Sequence, residues 1–209
     1  MEPIRKLKEL LNGPASRFVA KTILLVAARA LEILQVIHSH GMIHGDIHAK
    51  NYAFDGNVVT AHTTLYLLDF GRAEPFVNEE GQHIPEETVD YGSKWNMVLL
   101  SPWELEHKRK SRRDDLFRLA ETMFRCGNYD GAFEEISKLI KAAFKKGQLT
   151  REVAVDFYLQ LKEDRPLSSD PPDVLIDFYN YSLDLEFDRE PDYTYWIHLF
   201  RKTAETVFN

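Results

Sequence analysis

The sequence is poor in cysteine, in positive charge and in long apolar segments. Cys126 is the only cysteine, which excludes an internal disulfide and is typical of a reducing, intracellular compartment, cytoplasmic or nuclear. Because Cys126 lies in an apolar run, we expect a buried small side chain rather than a reactive thiol. The longest apolar stretch, 22–37, is interrupted by Arg29 and Glu32, so no membrane span is predicted. Residues 1–11 are charged and lack the apolar core of a secretory signal.

Acidic residues outnumber basic ones, and the formal net charge of −7 argues against nucleic-acid binding. One segment departs from this balance, the basic run at 107–113. It is either a solvated loop that leads into a helix or a docking patch for phosphate or acidic peptide, because clustered arginines and lysines recognise such groups.

Apolar spacing predicts a mainly α fold with a small β element in one compact unit. The clearest helix is expected over 18–40, where apolar residues recur every three or four positions and Gly41 follows as a terminator. A short helix is expected over Ile4 to Leu11, and short strands over 52–54 and 65–68. Further helices are predicted over 114–126, 131–145, 150–162, 171–185 and 193–208. The segment 74–101 reads as an irregular loop long enough to be functional.

Two short motifs carry the chemistry. Residues 44–51 read His-Gly-Asp-Ile-His-Ala-Lys-Asn, and Asp69-Phe70-Gly71 follows an apolar strand. Together they place an acid and an amide in one loop and a second acid at the next strand–turn junction. Phosphoryl transfer needs this set, one carboxylate to orient a hydroxyl and an Asn with an Asp to hold Mg²⁺ against phosphates.

With these motifs, the chain resembles the C-terminal lobe of a eukaryotic protein kinase, most similar to the casein kinase 1 and vaccinia-related kinase group. His-Gly-Asp at 44–46 resembles the catalytic loop, and Leu-Leu-Asp-Phe-Gly at 67–71 resembles the metal-binding loop. Ser-Arg-Arg-Asp-Asp-Leu at 111–116 and the segment 187–200 resemble later parts of the same lobe. The resemblance runs over about residues 4–205.

The resemblance implies a role for each motif residue. Asp46 would orient the substrate hydroxyl and accept its proton, while Asn51 and Asp69 would bind Mg²⁺ that bridges the phosphates of ATP. His44 would brace the turn at Phe70. These roles apply if the chain is active, and the cofactors are then Mg²⁺ and ATP.

The resemblance also implies a division of the chain. The catalytic loop would be 44–51, the activation segment about 69–104 and the helical remainder 111–208. Asp115 would accept hydrogen bonds from the catalytic-loop backbone. Glu104 would pair with Arg165 or Arg189, and the residues leave both partners open.

Two residues depart from the family pattern. Gly45 stands where most kinases have an arginine on which an activation-loop phosphate docks. His48 replaces the lysine that neutralises the transferred phosphoryl group in Ser/Thr kinases. Lys50, or a protonated His48, is expected to supply that charge instead. The His-Gly-Asp-x-His pattern is also similar to the loop of aminoglycoside and choline phosphotransferases, so a small-molecule phosphotransferase is a third hypothesis.

No Gly-x-Gly-x-x-Gly occurs, and no Val-Ala-x-Lys strand precedes the motifs. We therefore expect a single C-lobe over 1–209 without a nucleotide-clamping N-lobe. The leading interpretation is a degenerate kinase or pseudokinase that acts as a regulatory or binding module, with weak or no phosphotransfer alone. A protein partner or a second copy would cover the face normally under the N-lobe. The alternative is the C-lobe of an active Ser/Thr protein kinase, as a fragment or completed in trans, that acts on a protein substrate.

Overall fold

The computed structural model describes residues 4–7, 20–55, 64–90, 101–127 and 172–206. The helices predicted over 131–145 and 150–162 lie outside these ranges. The regular structure of the described residues is mostly helical, with two small antiparallel sheets.

The long predicted helix is confirmed as α1, Ala20–Ser39. Its apolar residues recur on one face, and most of that face is fully buried. The helix ends where Gly41 adopts a φ of +74°, a conformation that glycine adopts at little cost. The chain continues from this end directly into β2, Met42–Ile43, and then into the loop 44–51.

The larger sheet has three antiparallel strands in the order β1, β3, β4. Strand β1 is Ile4–Lys6, β3 is Tyr52–Asp55 and β4 is Leu65–Leu67. Tyr52 lies opposite Leu67 in this register. The smaller sheet pairs β2 with β5, Glu74–Pro75, so that Ile43 lies opposite Glu74. Both sheets therefore flank the loop 44–51 and fix where it begins and ends.

The prediction of a helix over Ile4 to Leu11 is wrong at residues 4–6, which form strand β1. The backbone of β1 pairs with β3 from Ile4 opposite Asp55 to Lys6 opposite Ala53. A short helix has weak intrinsic stability, so a distant strand edge that satisfies the backbone hydrogen bonds outweighs it.

Three further helices follow the predicted pattern, α3 at Arg112–Cys126, α4 at Asp173–Asp184 and α5 at Tyr193–Thr206. A one-turn helix, α2 at Pro102–Leu105, precedes them. The core lies where α1 packs along α5 and where α3 packs on α4. Cys126 is buried in it, as expected. Among the described residues, no helix combines the length and the apolar character that crossing a membrane requires.

Candidate functional site

The loop 44–51 connects β2 to β3, and Asn51 closes it. The Asn51 backbone N–H donates to the His48 carbonyl at 2.9 Å. Its side-chain Nδ2 donates to the Asp46 carbonyl at 2.9 Å and to the Asp46 carboxylate at 3.1 Å. Asn51 is buried, so these bonds are shielded from water. The amide thus holds the carboxylate of Asp46 in one orientation.

The side chain of Asp115, on α3, binds the backbone at the beginning of the loop, as the resemblance implied. Its two oxygens accept the backbone N–H groups of His44 at 2.7 Å and Gly45 at 2.9 Å. His38 lies 2.9 Å from the same carboxylate, and Tyr193 lies 2.5 Å from the other His38 ring nitrogen. Burial opposes the ionisation of Asp115, but the bonds from His38 and the two N–H groups outweigh it and lower its pKa. An ionised carboxylate therefore anchors the loop to the helical core.

His44 connects the loop to the Asp69-Phe70-Gly71 turn. Its Nε2 donates to the Leu68 carbonyl at 3.1 Å, and its ring contacts the Phe70 ring edge-on at 4.9 Å between centroids. The Leu68 N–H in turn donates to the Asn51 carbonyl at 2.8 Å. Both backbone groups of Leu68 therefore bond to the loop, so the Asp69 turn begins at a residue attached to that loop. The predicted bracing role of His44 is confirmed.

Asp69 adopts a φ of +63°, which is uncommon for a residue with a side chain. The N–H of Gly71 donates to its Oδ1 at 3.3 Å, and the residue is otherwise exposed. Such a conformation persists only where the surrounding structure imposes it, and residues of this kind cluster at functional sites.

Two basic side chains lie beside the Asp46 carboxylate. His48 Nε2 is 3.4 Å from Oδ2, and an Arg72 guanidinium nitrogen is 3.4 Å from Oδ1. His48 Nδ1 accepts the Lys50 backbone N–H at 3.2 Å. Burial lowers the pKa of His48, against the attraction of Asp46, which raises it. A protonated His48 is therefore disfavoured near neutral pH, contrary to one of the two predicted sources of charge.

Lys50, the other residue predicted to supply positive charge at the site, is exposed at the end of the loop. Sequence reasoning did not single out Arg72. The available signal was a basic residue directly after Asp69-Phe70-Gly71. The structure thus brings Asp46, His48 and Asn51 together and adds Arg72 to them.

Gly45 is required by its surroundings. Its φ is +71°, and an added Cβ would lie 2.6 Å from the Arg72 carbonyl oxygen and 2.6 Å from Lys110 Nζ. Lys110 is buried and lies 2.8 Å from Glu74. The space beside the loop that an arginine side chain at position 45 would need is therefore filled by a lysine from another segment, already paired with a carboxylate.

Most cations of the basic run 107–113 have partners within the described residues. Arg112 donates to the Asp188 carbonyl at 2.5 Å and lies over the Phe76 ring, and four others pair with carboxylates, three of which are in 74–90. The pairs are Lys108 with Glu106, Arg109 with Glu87, Lys110 with Glu74 and Arg113 with Glu86. These pairs attach the segment that follows the Asp69 turn to the start of α3.

A buried acidic cluster lies at the end of this segment. Ser101 Oγ donates to Asp114, and Ser101 N–H donates to Glu104 at 2.9 Å. Burial, with repulsion from Glu104, raises the pKa of Asp114 to about 7. Burial also raises the pKa of Glu104, whose carboxylate lies 3.6 Å from Arg72. Glu104 therefore has Arg72 as a partner, which the sequence did not suggest. Of the two partners that the sequence left open, Arg165 lies outside the described residues, and no ion pair joins Glu104 to Arg189 within them.

These elements and the loop they support define a class of fold. The chain is mainly helical with a small antiparallel sheet, and it has a protein-kinase-like C-lobe fold.

Comparison with known proteins agrees with this class. No protein-family model matches the chain. The chain is similar to a probable casein kinase I homolog of Encephalitozoon cuniculi, with 28% identity over 199 residues that cover 94% of this chain. It spans 58% of the length of that relative. The similarity supports a kinase-like relationship.

Proposed function

We propose that the chain forms the catalytic-loop side of a protein Ser/Thr kinase site, at which the γ-phosphate of ATP passes to a hydroxyl of a protein substrate. The supporting observation is the network that fixes Asp46, Asn51 and the Asp69 turn around one loop. Preorganised polar groups of this kind are the main source of catalysis in phosphoryl transfer. We therefore favour retained phosphotransfer over the degenerate-kinase interpretation that the sequence alone favoured.

In this proposal Asp46 orients the substrate hydroxyl and receives its proton. The hydroxyl oxygen forms a bond to the γ-phosphorus, while the bond from that phosphorus to the bridging oxygen breaks. The bridging oxygen keeps the electron pair and leaves with ADP. The bond from Asn51 to Asp46 holds the carboxylate in place before the substrate arrives, so little reorganisation is needed.

The residues present fit Mg²⁺. The Asn51 amide nitrogen bonds to Asp46, so its amide oxygen, the atom that ligates hard cations, is directed away from Asp46. Asp69 offers an exposed carboxylate from the adjacent turn. Within the described ranges, no cluster of three or more His, Cys, Asp or Glu side chains could hold a metal. Two protein ligands suit Mg²⁺, which commonly takes one or two carboxylates and completes its shell with phosphates and water. Bound there, the ion would neutralise charge on the phosphates.

Phosphate transfer to an acidic protein such as casein tests the proposal. The chain is incubated with Mg-ATP alone and together with the part of the Encephalitozoon cuniculi relative that it does not match. We expect transfer in the completed sample and a loss of about 10²-fold or more in Asp46→Asn, because general base catalysis contributes on that scale. Asp177→Asn, an exposed helical position, is the matched control. Equal rates in Asp46→Asn and wild type, or no transfer in any sample, would contradict the proposal.

A second candidate function is a regulatory or binding module with little phosphotransfer of its own. One observation favours it, an apolar surface beside the site. Phe70 is 51% exposed, and Val36 on α1 is 59% exposed. They line one groove of about 470 Å³ together with Ile33, Leu65 and Leu67. Exposed apolar patches of this kind commonly bind proteins, here a partner or a second copy.

A further inference from the structure

A buried series of three side chains connects helix α5 to the loop 44–51. The Tyr193 hydroxyl lies 2.5 Å from His38 Nδ1, and His38 Nε2 lies 2.9 Å from Asp115 Oδ2. The same carboxylate accepts two backbone N–H groups of the loop, at 2.7 Å and 2.9 Å. The three side chains belong to three different helices, α5, α1 and α3, and each is at most 5% exposed. The contacts therefore run without interruption from α5 through the core to the loop backbone.

The groups at the two ends fix the direction of each hydrogen bond. Burial opposes the ionisation of Asp115, but the bonds from His38 and the loop lower its pKa, so this carboxylate only accepts. His38 Nε2 therefore carries the proton of its bond to Asp115. Burial raises the pKa of the Tyr193 hydroxyl, which keeps its own proton. A neutral imidazole with its proton on Nε2 accepts at Nδ1, and there Tyr193 donates.

The contact with Tyr193 holds the imidazole of His38 in one orientation. A ring bonded at one nitrogen can tilt about that bond, whereas a partner at the second nitrogen fixes both its tautomer and its plane. Nε2 shares Oδ2 of Asp115 with the His44 N–H, and Oδ1 accepts the Gly45 N–H. Movement of the imidazole would therefore be transmitted to both loop hydrogen bonds, directly before Asp46.

We propose that Tyr193 is a positioning residue for Asp46, which acts through His38 and Asp115 to hold the backbone of the loop 44–51 in the geometry that phosphoryl transfer requires. This inference rests on the proposed function. A displacement of about 1 Å at a reacting group can cost about 10²-fold in rate. Loss of the Tyr193 hydroxyl should therefore reduce the rate of transfer and leave the binding of the protein substrate unchanged.

Amide hydrogen exchange of the full chain, measured residue by residue by NMR, tests the inference without requiring turnover. Tyr193→Phe removes the hydroxyl and keeps the ring. We expect exchange at the His44 and Gly45 amides to rise about tenfold, because both donate to a carboxylate that is held less firmly. Tyr181→Phe is the matched control, since it removes a hydroxyl that accepts the Asp192 N–H at 2.8 Å, and it should leave both loop amides unchanged.

Thermal melts of each variant verify folding. Unchanged exchange at the two loop amides in Tyr193→Phe would overturn the inference. An equal rise at amides throughout α1 and α3 would also overturn it, because the hydroxyl would then support overall stability rather than the loop.

Transfer kinetics in the completed sample give the second measurement. We expect Tyr193→Phe to lower kcat about tenfold with little change in KM for the protein substrate, and Tyr181→Phe to change neither. His38→Gln keeps a donor for Asp115 and removes the ring nitrogen that Tyr193 contacts. In that background Tyr193→Phe should lower kcat no further, because residues that act through one another are not additive. Additive losses, or an unchanged kcat in Tyr193→Phe alone, would contradict the inference.

The two measurements separate the inference from the proposed function. If Tyr193→Phe speeds exchange selectively at the loop amides and wild type transfers no phosphate, Tyr193 holds the loop and the proposed function fails. If wild type transfers phosphate and Tyr193→Phe changes neither exchange nor kcat, the inference fails and the proposed function stands. If exchange is unchanged and wild type transfers no phosphate, both fail.

Discussion

At the scale of single residues, the conformation of the loop 44–51 depends on a few specific groups. Asp115 of α3 accepts a hydrogen bond from the loop backbone, and Asn51, a residue of the loop itself, orients the Asp46 carboxylate. Gly45 is the least replaceable of them, because both its backbone conformation and the lack of a Cβ are required. An arginine at this position, as most kinases have, would not fit the present arrangement of Arg72 and Lys110.

Gly45→Ala should therefore cost more stability than Gly81→Ala. Both glycines have positive φ, +71° and +75°, but an added Cβ meets nothing within 4 Å at Gly81. The conformational penalty alone is about 1–2 kcal/mol for each. Contact with the Arg72 carbonyl should add about 1–3 kcal/mol at Gly45, as overpacking does elsewhere.

Urea denaturation of the two variants measures this difference directly. Gly81→Ala serves as the control for backbone strain. Equal losses of unfolding free energy would show that Arg72 and Lys110 move aside without cost, and the account of Gly45 would be wrong.

At the scale of elements, the segment after the Asp69 turn is attached to α3 by charge. Carboxylates in 74–90 pair with the basic run 107–113, and Asp114 and Glu104 form a buried acidic cluster where α2 meets α3. Each exposed ion pair contributes little to the free energy of unfolding. The buried charged groups, Lys110 and Asp114, therefore affect stability most.

Asp114 should make the stability of the protein depend on pH. Its pKa rises from 3.8 to about 7 on folding, so the folded state binds the proton more tightly than the unfolded state. This stabilisation is complete below about pH 4 and is lost as the pH rises through 7. Between pH 5 and pH 8, the unfolding free energy of wild type should fall by about 2–3 kcal/mol relative to Asp114→Asn, which mimics the protonated form.

Urea denaturation of both proteins across this range provides the measurement. His48 contributes with the opposite sign, because its lowered pKa adds stability as the pH rises, but it is present in both proteins and cancels in the difference. Parallel pH profiles for wild type and Asp114→Asn would refute a raised pKa at Asp114.

At the scale of the whole molecule, the described residues present one apolar and exposed face beside the candidate site. Val36, Phe70 and Leu68 are all more than one third exposed on or beside this face. Val36 and Phe70 line the groove, which lies between α1 and β4. A protein that leaves such a groove uncovered tends to associate.

We expect the chain to self-associate with rising concentration and Val36→Asp to abolish that association, because a carboxylate in the groove resists desolvation. Sedimentation velocity over a range of concentrations measures it. Tyr195→Asp is the matched control, since Tyr195 is 54% exposed on α5 and does not line the groove. If the wild-type chain stays monomeric at every concentration, a second copy of the chain does not bind this face.

Patterns local in the sequence predicted much of the fold. The helices α1, α3, α4 and α5 and the strands β3 and β4 follow from apolar spacing that each segment carries itself. Strand β1 could not be predicted in this way, because its partner β3 is distant in the chain and short segments have no strong preference of their own. The roles of His44 and Asp115 followed from motif resemblance and were confirmed by their contacts.

The sequence by itself determined the identity of the loop, since the order and spacing of Asp46, Asn51 and Asp69 are fixed by covalent connection. Only the tertiary structure decided which charge faces Asp46. Burial lowers the pKa of His48, Lys50 is exposed at the end of the loop, and the turn after Asp69 brings Arg72 to within 3.4 Å of the Asp46 carboxylate. Electrostatic interaction depends on distance and burial, which spacing along the chain does not specify.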